Sequence, residues 1–330
     1  MAATGCVVVP LFNECDVLPQ FQARLSAVLT QVPLTWEILY VNDGSTDHSD
    51  RVLANLQETD PRITVLSLSR NFGKEIALTA GLDHAEGDLV IFIDCDLQDP
   101  PELIPELIAG MRQGFDVVYA VRTARDGDTW LKRSTASLFY RLISLTSTVP
   151  LPAQAGDYRL LTRRAAEALR SLRESHRYMK GLYAWIGYPQ LAVPYQRQSR
   201  HAGRTKWNYL ALLNLAIEGF TSFTIAPLKI ATVLGATVAG FAFVYALRII
   251  YKTLVYGDPV QGYPSMMVVI LFLGGVQLLC LGVVGEYLGR MFNETKRRPL
   301  YFVSGVARGG TAQLTSANFD KRTAQSGLRR

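Results

Sequence analysis

The stretch DLVIFIDCDLQDPPELI, residues 88–104, decides the fold. Its apolar run, residues 89–93, ends abruptly in three carboxylates at Asp94, Asp96 and Asp99. A short continuous apolar run of this kind predicts a strand that is buried on both faces. A solvated turn is the ordinary explanation for acids after a strand. The rest of the chain decides whether that explanation is sufficient.

Similar apolar runs alternate with helix-like segments through the first part of the chain. The predicted strands are 6–10, 37–41, 63–69, 88–93 and 116–121, and the predicted helices are 16–30, 47–58, 74–85 and 101–113. Continuous Val, Ile and Leu strands separated by helices indicate a mostly parallel sheet with helices on both faces. The sequence therefore predicts an α/β, Rossmann-like fold.

Polar residues follow four of the predicted strands, at the point where each strand ends. They are Asn13-Glu14, Asn42-Asp43-Gly44-Ser45, Arg70-Asn71 and Asp94-Cys95-Asp96. Each cluster by itself is more often a turn than a site. Because the carboxyl ends of parallel strands border one crevice, four such clusters together predict a single concave polar site.

Asp94 and Asp96 are the residues at this edge that point to a metal. Two converging carboxylates repel each other unless a cation or a proton separates them. A hard divalent ion held by one or two carboxylates while it also binds substrate phosphates is typical of Mg²⁺ or Mn²⁺. No His and Cys set is spaced for zinc, and neither GxxxxGK[ST] nor GxGxxG is present. Zinc enzymes, P-loop NTPases and dinucleotide oxidoreductases are therefore disfavoured.

Two charge-free stretches near the C-terminus, 230–247 and 259–285, predict membrane helices. One such stretch could be a buried helix of a soluble protein, but two in tandem argue against that alternative. Basic residues precede the first stretch and Lys296-Arg297-Arg298 follow the second, whereas 255–264 has no Lys or Arg. The positive-inside rule then predicts a multi-pass protein of the inner or plasma membrane, with its catalytic domain and both termini in the cytoplasm.

Composition further narrows the classes of function and the cellular compartment that are expected. The net charge is +6, and no basic stripe with interleaved aromatics occurs, so nucleic-acid binding is not expected. The four cysteines have no CxxC or metal-ligand spacing and read as free thiols of a reducing compartment. The start of the chain has no basic segment or cleavage site, so no signal peptide is predicted.

The predicted organisation has four parts. They are a catalytic domain (1–205), a juxtamembrane interfacial helix (206–226), a two-helix transmembrane hairpin (227–292) and a basic, largely disordered tail (293–330). Glycines within the hairpin allow close helix packing, which makes a homo-oligomer plausible.

An ordered set of motifs gives the chain a family resemblance. The motifs are VVVPLFNE (7–14), VNDGSTD (41–47), LSRNFGKEIAL (68–78), DCDLQDPPELI (94–104), AGDYRLLTRR (155–164) and RHAGRTKW (200–207). Together they resemble the GT-A-fold family 2 glycosyltransferases. With two C-terminal spans they are similar to the polyisoprenyl-phosphate branch, which includes bactoprenol glucosyltransferases and dolichyl-phosphate mannose synthases. The resemblance covers about residues 5–300.

The resemblance implies roles for residues on the donor side of the site. Glu14 and Asp43 match positions that hold the base and ribose of the nucleotide, with Pro10 beside them. Asp94 and Asp96 match the motif that binds Mg²⁺ or Mn²⁺ and the diphosphate, with Gln98 as a further metal ligand. Arg200 and Lys206 fall in a mobile loop beside the phosphates.

The acceptor side is assigned in the same way. Arg122, Arg133 and Ser137 fall where the family grips the phosphate of the lipid, and Asp157 falls at the proposed catalytic base. Alternatives stay open for several residues. Asp157 could cap a helix or pair with Arg159, and Arg133 could lie in an interfacial helix. Lys74 and Arg70 could pair with Glu75 or Asp83 on a helix surface, and Asp99 is expected to cap the following helix.

The implied reaction is an inverting, metal-dependent transfer of a hexose to polyprenyl phosphate at the cytoplasmic face of the membrane. UDP-glucose is the expected donor, because the RNFGKE and DLQDPPELI forms most resemble the bactoprenol group. GDP-mannose or a UDP-linked amino-pentose is the alternative donor. The rival classes are a transferase with a protein or glycan acceptor, and a non-catalytic scaffold or flippase subunit that binds nucleotide sugars.

Overall fold

The computed structural model describes residues 4–122, 155–175, 177–195, 226–256 and 262–309. These residues divide into two compact units. The first contains the described residues up to 195 together with 299–309, and the second contains the two C-terminal helices.

The first unit is built on a sheet of eight strands within the described residues. The strands are β1 (Thr4–Leu11), β2 (Thr35–Asn42), β3 (Ile63–Leu68), β4 (Leu89–Phe92), β5 (Val117–Arg122), β6 (Ala155–Thr162), β7 (Gln190–Tyr195) and β8 (Val303–Arg308). Their order across the sheet is β7-β5-β6-β4-β1-β2-β3-β8. β6 and β8 run antiparallel to their neighbours and the other described strands share one direction, so the predicted mostly parallel sheet is confirmed.

Helices connect these strands where the sequence pattern predicts them. They are α1 (Leu18–Gln31), α2 (Ser49–Thr59), α3 (Lys74–His84), a 3₁₀ turn (Pro101–Leu103) that leads into α4 (Ile104–Arg112), α5 (Arg163–Ser171) and α6 (Met179–Trp185). Four of them match predicted helices to within a few residues at each end, the scatter expected of helix boundaries.

Helices cover both faces of the sheet. Val7 and Val9 lie in one buried cluster with Phe21 of α1. Val8 points to the opposite face, where α3 packs so closely that a Cβ on Gly81 would lie 2.2 Å from its Cγ1 atom. Alternate residues of β1 are therefore buried under different helices, which explains why the strand is apolar throughout.

The position of β6 was not predicted. It lies between β4 and β5 and pairs antiparallel with both, with Phe92 opposite Arg159. Continuing that register by two residues places Asp94, just beyond β4, opposite Asp157 of β6. This strand therefore brings a further acid to the edge where Asp94 and Asp96 lie.

The prediction of a largely disordered tail from residue 293 is wrong for its first part. α8 (Tyr263–Thr295) continues to Thr295, and β8 adds an antiparallel strand to β3, with Ala307 opposite Val65. The side-chain amide of Gln57 also donates to the Ala307 carbonyl at 2.8 Å. Edge pairing is made by backbone groups, so it leaves little trace in side-chain periodicity.

The second unit consists of α7 (Ala226–Tyr256) and α8, the two helices expected from the apolar stretches. Among the described residues, one stretch, Phe272–Thr295 in α8, is long and apolar enough to cross a membrane by length and composition. The apolar part of α7, Ile230–Tyr245, is shorter. The two helices are thus present, and the transmembrane hairpin with its two membrane crossings stays a prediction.

Candidate active site

The loops after β1 and β2 are fixed to each other at the carboxyl edge of the sheet. Asn13 has a left-handed backbone (φ 57°), a conformation that Asn tolerates better than most residues. Its Oδ1 atom accepts hydrogen bonds from the N–H groups of Thr46 (2.8 Å) and Asp47 (3.3 Å). Its own N–H donates to Ser45 Oγ at 3.0 Å. The first two polar clusters therefore form one connected rim.

Asp43 fixes the start of α3. The carboxylate is buried, and its two oxygens accept from the N–H groups of Phe72 (2.7 Å) and Gly73 (2.8 Å). Burial raises the pKa of Asp43, and these two hydrogen bonds partly offset the rise. The predicted contact of Asp43 with the nucleotide is untested, but the loop between β3 and α3 depends on this residue.

Lys74, the first residue of α3, lies between two carboxylates. Its Nζ atom is 2.5 Å from Asp94 Oδ2 and 2.7 Å from Asp157 Oδ2. The side chain of Asp157 is only 13% exposed, and its other oxygen, Oδ1, is buried without a hydrogen-bond partner in the described part of the chain. These three residues form the centre of the site.

This geometry corrects the alternative roles that the sequence left open for Asp157 and Lys74. Asp157 lies within β6 and pairs with Lys74, so it is neither a helix cap nor the partner of Arg159. Lys74 does not pair with Asp83, whose carboxylate instead accepts from Arg173 (2.7 Å). The sequence did not predict that Lys74 belongs to the site, because a lysine in the first turn of a helix is usually a surface residue.

Electrostatics distinguish the two acids. Burial raises the pKa of Asp157, but Lys74 and Lys180 together lower it to about 2, so this group is ionised at neutral pH. For Asp94, burial outweighs the attraction of Lys74, and the pKa is raised. The pKa of Lys74 is raised because both carboxylates outweigh its own desolvation.

Asp96 lies on a tight turn beyond β4. Its Oδ1 atom accepts from the N–H of Gln98 at 3.1 Å, and Leu97 between them has a left-handed backbone (φ 61°). A non-glycine residue is held in that conformation only when its surroundings enforce it, and the Leu97 side chain is fully buried. The turn leaves Asp96 partly exposed at the edge. No group of three or more His, Cys, Asp or Glu side chains arranged for a metal occurs among the described residues.

The expected helix-capping role of Asp99 is wrong. The 3₁₀ turn begins after Pro100 without a side-chain cap, and Asp99 is buried. Its carboxylate accepts a hydrogen bond from the Tyr195 hydroxyl and lies 3.9 Å from the Arg122 guanidinium. Arg122 Nε in turn donates to the Tyr195 hydroxyl at 3.3 Å. Arg122, at the end of β5, is thus held by a buried acid and a tyrosine.

Buried polar and charged residues near Asp157 influence it electrostatically. Arg159 is 1% exposed, with its guanidinium 3.6 Å from the ring centroid of Tyr183. Glu75 Oε2 accepts from the N–H of Met179 at 2.9 Å. Burial, followed by the charge of Asp157, raises the pKa of Glu75 to about 7. None of these residues had been assigned to the site from the sequence.

The remaining predicted site residues are placed as follows. Pro10 is buried at the end of β1, and its carbonyl oxygen lies 3.9 Å from Cys95 Sγ. Glu14 is partly buried, and its N–H donates to Ser49 Oγ at 3.2 Å. The predicted phosphate-binding residues Arg133, Ser137, Arg200 and Lys206 lie outside the described residues.

Comparisons with known proteins agree with this fold. Residues 6–170 match the family described as glycosyl transferase family 2, and residues 226–291 match the family described as the GtrB C-terminal hairpin. An uncharacterized glycosyltransferase of Synechocystis is 50% identical over 300 residues, covering 91% of this chain and 94% of the relative. A prophage-derived bactoprenol glucosyl transferase of Shigella flexneri is 46% identical over 303 residues, covering 92% and 98%.

Among solved structures, mannosyl-3-phosphoglycerate synthase from Rubrobacter xylanophilus aligns with a TM-score of 0.46 and 20% identity, over 80% of each chain. The sheet, its acidic edge and the sequence matches define a glycosyltransferase enzyme. The chain belongs to glycosyltransferase family 2.

Proposed function

We propose that this protein transfers glucose from UDP-glucose to the phosphate of a polyprenyl lipid at the cytoplasmic face of the inner or plasma membrane. The observation that carries the proposal is the pairing of Asp94 and Asp157 through Lys74 at the carboxyl edge of the sheet. Asp94 lies close to Asp157, and in this proposal Asp94 binds the donor while Asp157 faces the acceptor. The bactoprenol glucosyl transferase similarity over 92% of the chain supports the choice of sugar and lipid.

The donor side fits a hard divalent cation. Asp94 and Asp96 offer carboxylate oxygens at the open edge, and the side chain of Asp94 is 27% exposed. Mg²⁺ or Mn²⁺ would be held by these two acids with Gln98, and would take its other ligands from water and the diphosphate. When bound, such an ion neutralises charge on the leaving nucleoside diphosphate. Pro10, Glu14 and Asp43 would face the nucleoside, and Arg200 and Lys206 would lie beside the phosphates.

The acceptor side is assigned to Arg122, Arg133, Ser137 and Asp157. In the reaction, an acceptor phosphate oxygen forms a bond to the anomeric carbon of the sugar while the bond from that carbon to the diphosphate breaks. The bonding electrons leave with UDP, so an α-linked donor gives a β-linked lipid product. A phosphate monoester has a second pKa near 6 and is largely dianionic at neutral pH. Asp157 therefore serves to orient the acceptor more than to remove a proton from it.

The C-terminal helices would keep the site at the membrane that contains the lipid. In this proposal α7 and α8 both cross the bilayer, both termini stay in the cytoplasm and the hairpin joins a homo-oligomer. The match of residues 226–291 to the GtrB C-terminal hairpin supports a dedicated function for this segment. Glu286 and Arg290 pair at 3.1 Å within α8, as their spacing predicts.

The test is sugar transfer by the purified full-length protein. UDP-[¹⁴C]glucose and undecaprenyl phosphate are supplied with Mg²⁺ or Mn²⁺, and organic-phase radioactivity is counted with and without EDTA. Labelled GDP-mannose and a UDP-amino-pentose are tested in parallel. Transfer from UDP-glucose that EDTA abolishes supports the proposal. Transfer from another donor alone would replace the sugar assignment, and nucleotide-sugar binding without any transfer would support the scaffold alternative.

A further inference from the structure

We propose that Lys74 is a positioning residue that acts as the built-in counter-ion of the donor site. Before the donor binds, its ammonium occupies the place beside Asp94 that a divalent cation takes in the loaded site. When the cation arrives with the donor, Lys74 releases Asp94 and keeps its contact with Asp157. This inference rests on the proposed function, because it assumes that Asp94 belongs to the metal and diphosphate site.

The geometry makes Lys74 a direct competitor of a cation. Its Nζ atom is 2.5 Å from Asp94 Oδ2, a distance at which no second cation can share that oxygen from the same side. The same ammonium is 2.7 Å from Asp157 Oδ2. Asp94 and Asp157 face each other on adjacent chain segments, so their charges would repel without a cation between them.

Lys74 is also the partner that can move. Its side chain is 44% exposed, whereas that of Asp157 is 13% exposed and belongs to a strand paired on both sides. The backbone of Lys74 is fixed, because Asp43 holds the N–H of Gly73 directly before it. Only the flexible side chain therefore has to swing when Asp94 changes partner.

A consequence for metal binding follows. With Lys74 in place, a divalent ion that binds alone meets an acid whose charge is already compensated. A nucleoside diphosphate adds negative oxygens that attract both the ion and the ammonium, so the ion and the donor should bind cooperatively. If Lys74 is replaced by a neutral side chain, Asp94 and Asp157 become an uncompensated pair that attracts a divalent ion without the nucleotide.

The experiment measures Mn²⁺ binding, by electron paramagnetic resonance, to the full-length protein in detergent, with and without UDP. Lys74→Met should bind Mn²⁺ about tenfold more tightly than wild type without UDP, since a unit charge near the ion is removed. The gain in Mn²⁺ affinity on adding UDP should shrink. Lys74→Gln should behave like Lys74→Met, so a folding defect in one variant does not decide the result.

Lys180→Met is the matched control. Lys180 also lowers the pKa of Asp157 but forms no ion pair with Asp94 among the contacts of the described residues. Its removal should change Mn²⁺ affinity by less than about twofold, because its effect is only long-range. Lys74→Arg keeps the positive charge and should stay near wild type.

Two results would overturn the inference: an unchanged or weaker Mn²⁺ affinity in both neutral Lys74 variants, or an equal change in Lys180→Met. The proposed function is judged separately, by transfer with the wild-type protein. Wild type that transfers glucose while neutral Lys74 variants bind Mn²⁺ normally contradicts the counter-ion role alone. Wild type that transfers no sugar, with the Lys74 effect present, contradicts the proposed function and supports the counter-ion.

Discussion

Asp94 and Asp157 face each other at the end of the β4–β6 pair, and the ammonium of Lys74 lies within 2.7 Å of an oxygen of each. One acid belongs to the loop after a parallel strand, and the other to an antiparallel strand inserted beside it. In the proposed reaction Asp94 serves the donor and Asp157 the acceptor, so Lys74 contacts both sides of the site. The predictions below test the parts of that arrangement.

Replacing Asp157 separates orientation from proton removal. Asp157→Asn keeps an oxygen that can accept from Lys74, so its kcat should fall roughly tenfold, while Asp157→Ala should lose about a hundredfold or more. Both deficits should stay constant between pH 6.5 and 9, because the acceptor phosphate supplies its own negative charge. Steady-state transfer rates across this range give the answer. A large Asp157→Asn deficit that disappears at high pH would show that Asp157 is a true base.

Tyr195 should set the position of Arg122. Tyr195→Phe removes the hydroxyl that links Asp99 to Arg122, leaving a buried acid with one partner fewer. We expect the KM for polyprenyl phosphate to rise several-fold, with the KM for UDP-glucose unchanged. Tyr188→Phe, whose ring lies 4.8 Å from the Arg164 guanidinium and outside this site, is the control. Equal effects on both KM values would mean that Tyr195 acts on the fold rather than on Arg122.

Glu75 should make stability fall as pH rises. Its pKa of about 7 in the folded protein lies above the ordinary value near 4.5, so between these values the folded state holds a proton that the unfolded state releases. That contribution is complete below pH 4.5 and is lost as pH rises through 7. The charges that set it are Asp157, which raises the pKa, and Lys74 and Lys180, which lower it.

The matched measurement compares Tm for Glu75→Gln and wild type from pH 5 to pH 8. The Tm of the variant should rise relative to that of wild type as pH increases, with most of the rise between pH 5 and 7 and little above pH 7. Glu102→Gln is the control, because Arg24 lowers the pKa of Glu102 against its burial and its titration lies below this range. A Glu75→Gln difference that is flat with pH would contradict the assignment.

α3 packs so closely on the sheet at Gly81 that a larger side chain at this position should destabilise the fold. Gly81→Ala would place its Cβ 2.2 Å from Val8 Cγ1 and 3.1 Å from Val41 Cγ2. Overpacking of this kind costs about 1–3 kcal/mol, so Tm should fall by several degrees. The double variant Gly81→Ala with Val8→Ala should recover part of the loss, since neighbouring substitutions are not additive. Strictly additive losses would show that the two residues do not compete for this space.

The order of strands and helices in the first unit follows largely from the sequence, because it depends on local patterns of apolar and polar residues. Apolar runs such as 89–93 end in acids at one edge, and the geometry of parallel strands then gathers those ends. The same reasoning placed Asp94, Asp96 and Asp43 at that edge correctly. Arg122 entered the predicted site only through the family resemblance, as a residue that grips the lipid phosphate, since no pattern in the sequence marks it.

Other features depend on contacts between distant parts of the chain. The insertion of β6 between β4 and β5 joins residues about seventy positions apart in sequence, and side-chain periodicity does not encode such a pairing. Asp99 carries the sequence signature of a helix cap but is bound by Tyr195, almost a hundred residues later. β8 pairs through its backbone, so its short mixed sequence, VSGVAR, gave no signal of a strand.

The most direct test of the central claim compares two acceptors that differ by one phosphate. Purified wild-type protein is given UDP-[¹⁴C]glucose with undecaprenyl phosphate or with undecaprenol, under otherwise identical conditions. The account predicts a labelled lipid from undecaprenyl phosphate alone, with the glucose attached in the β configuration. Equal labelling of undecaprenol, or no labelling of either lipid by folded protein, would contradict it.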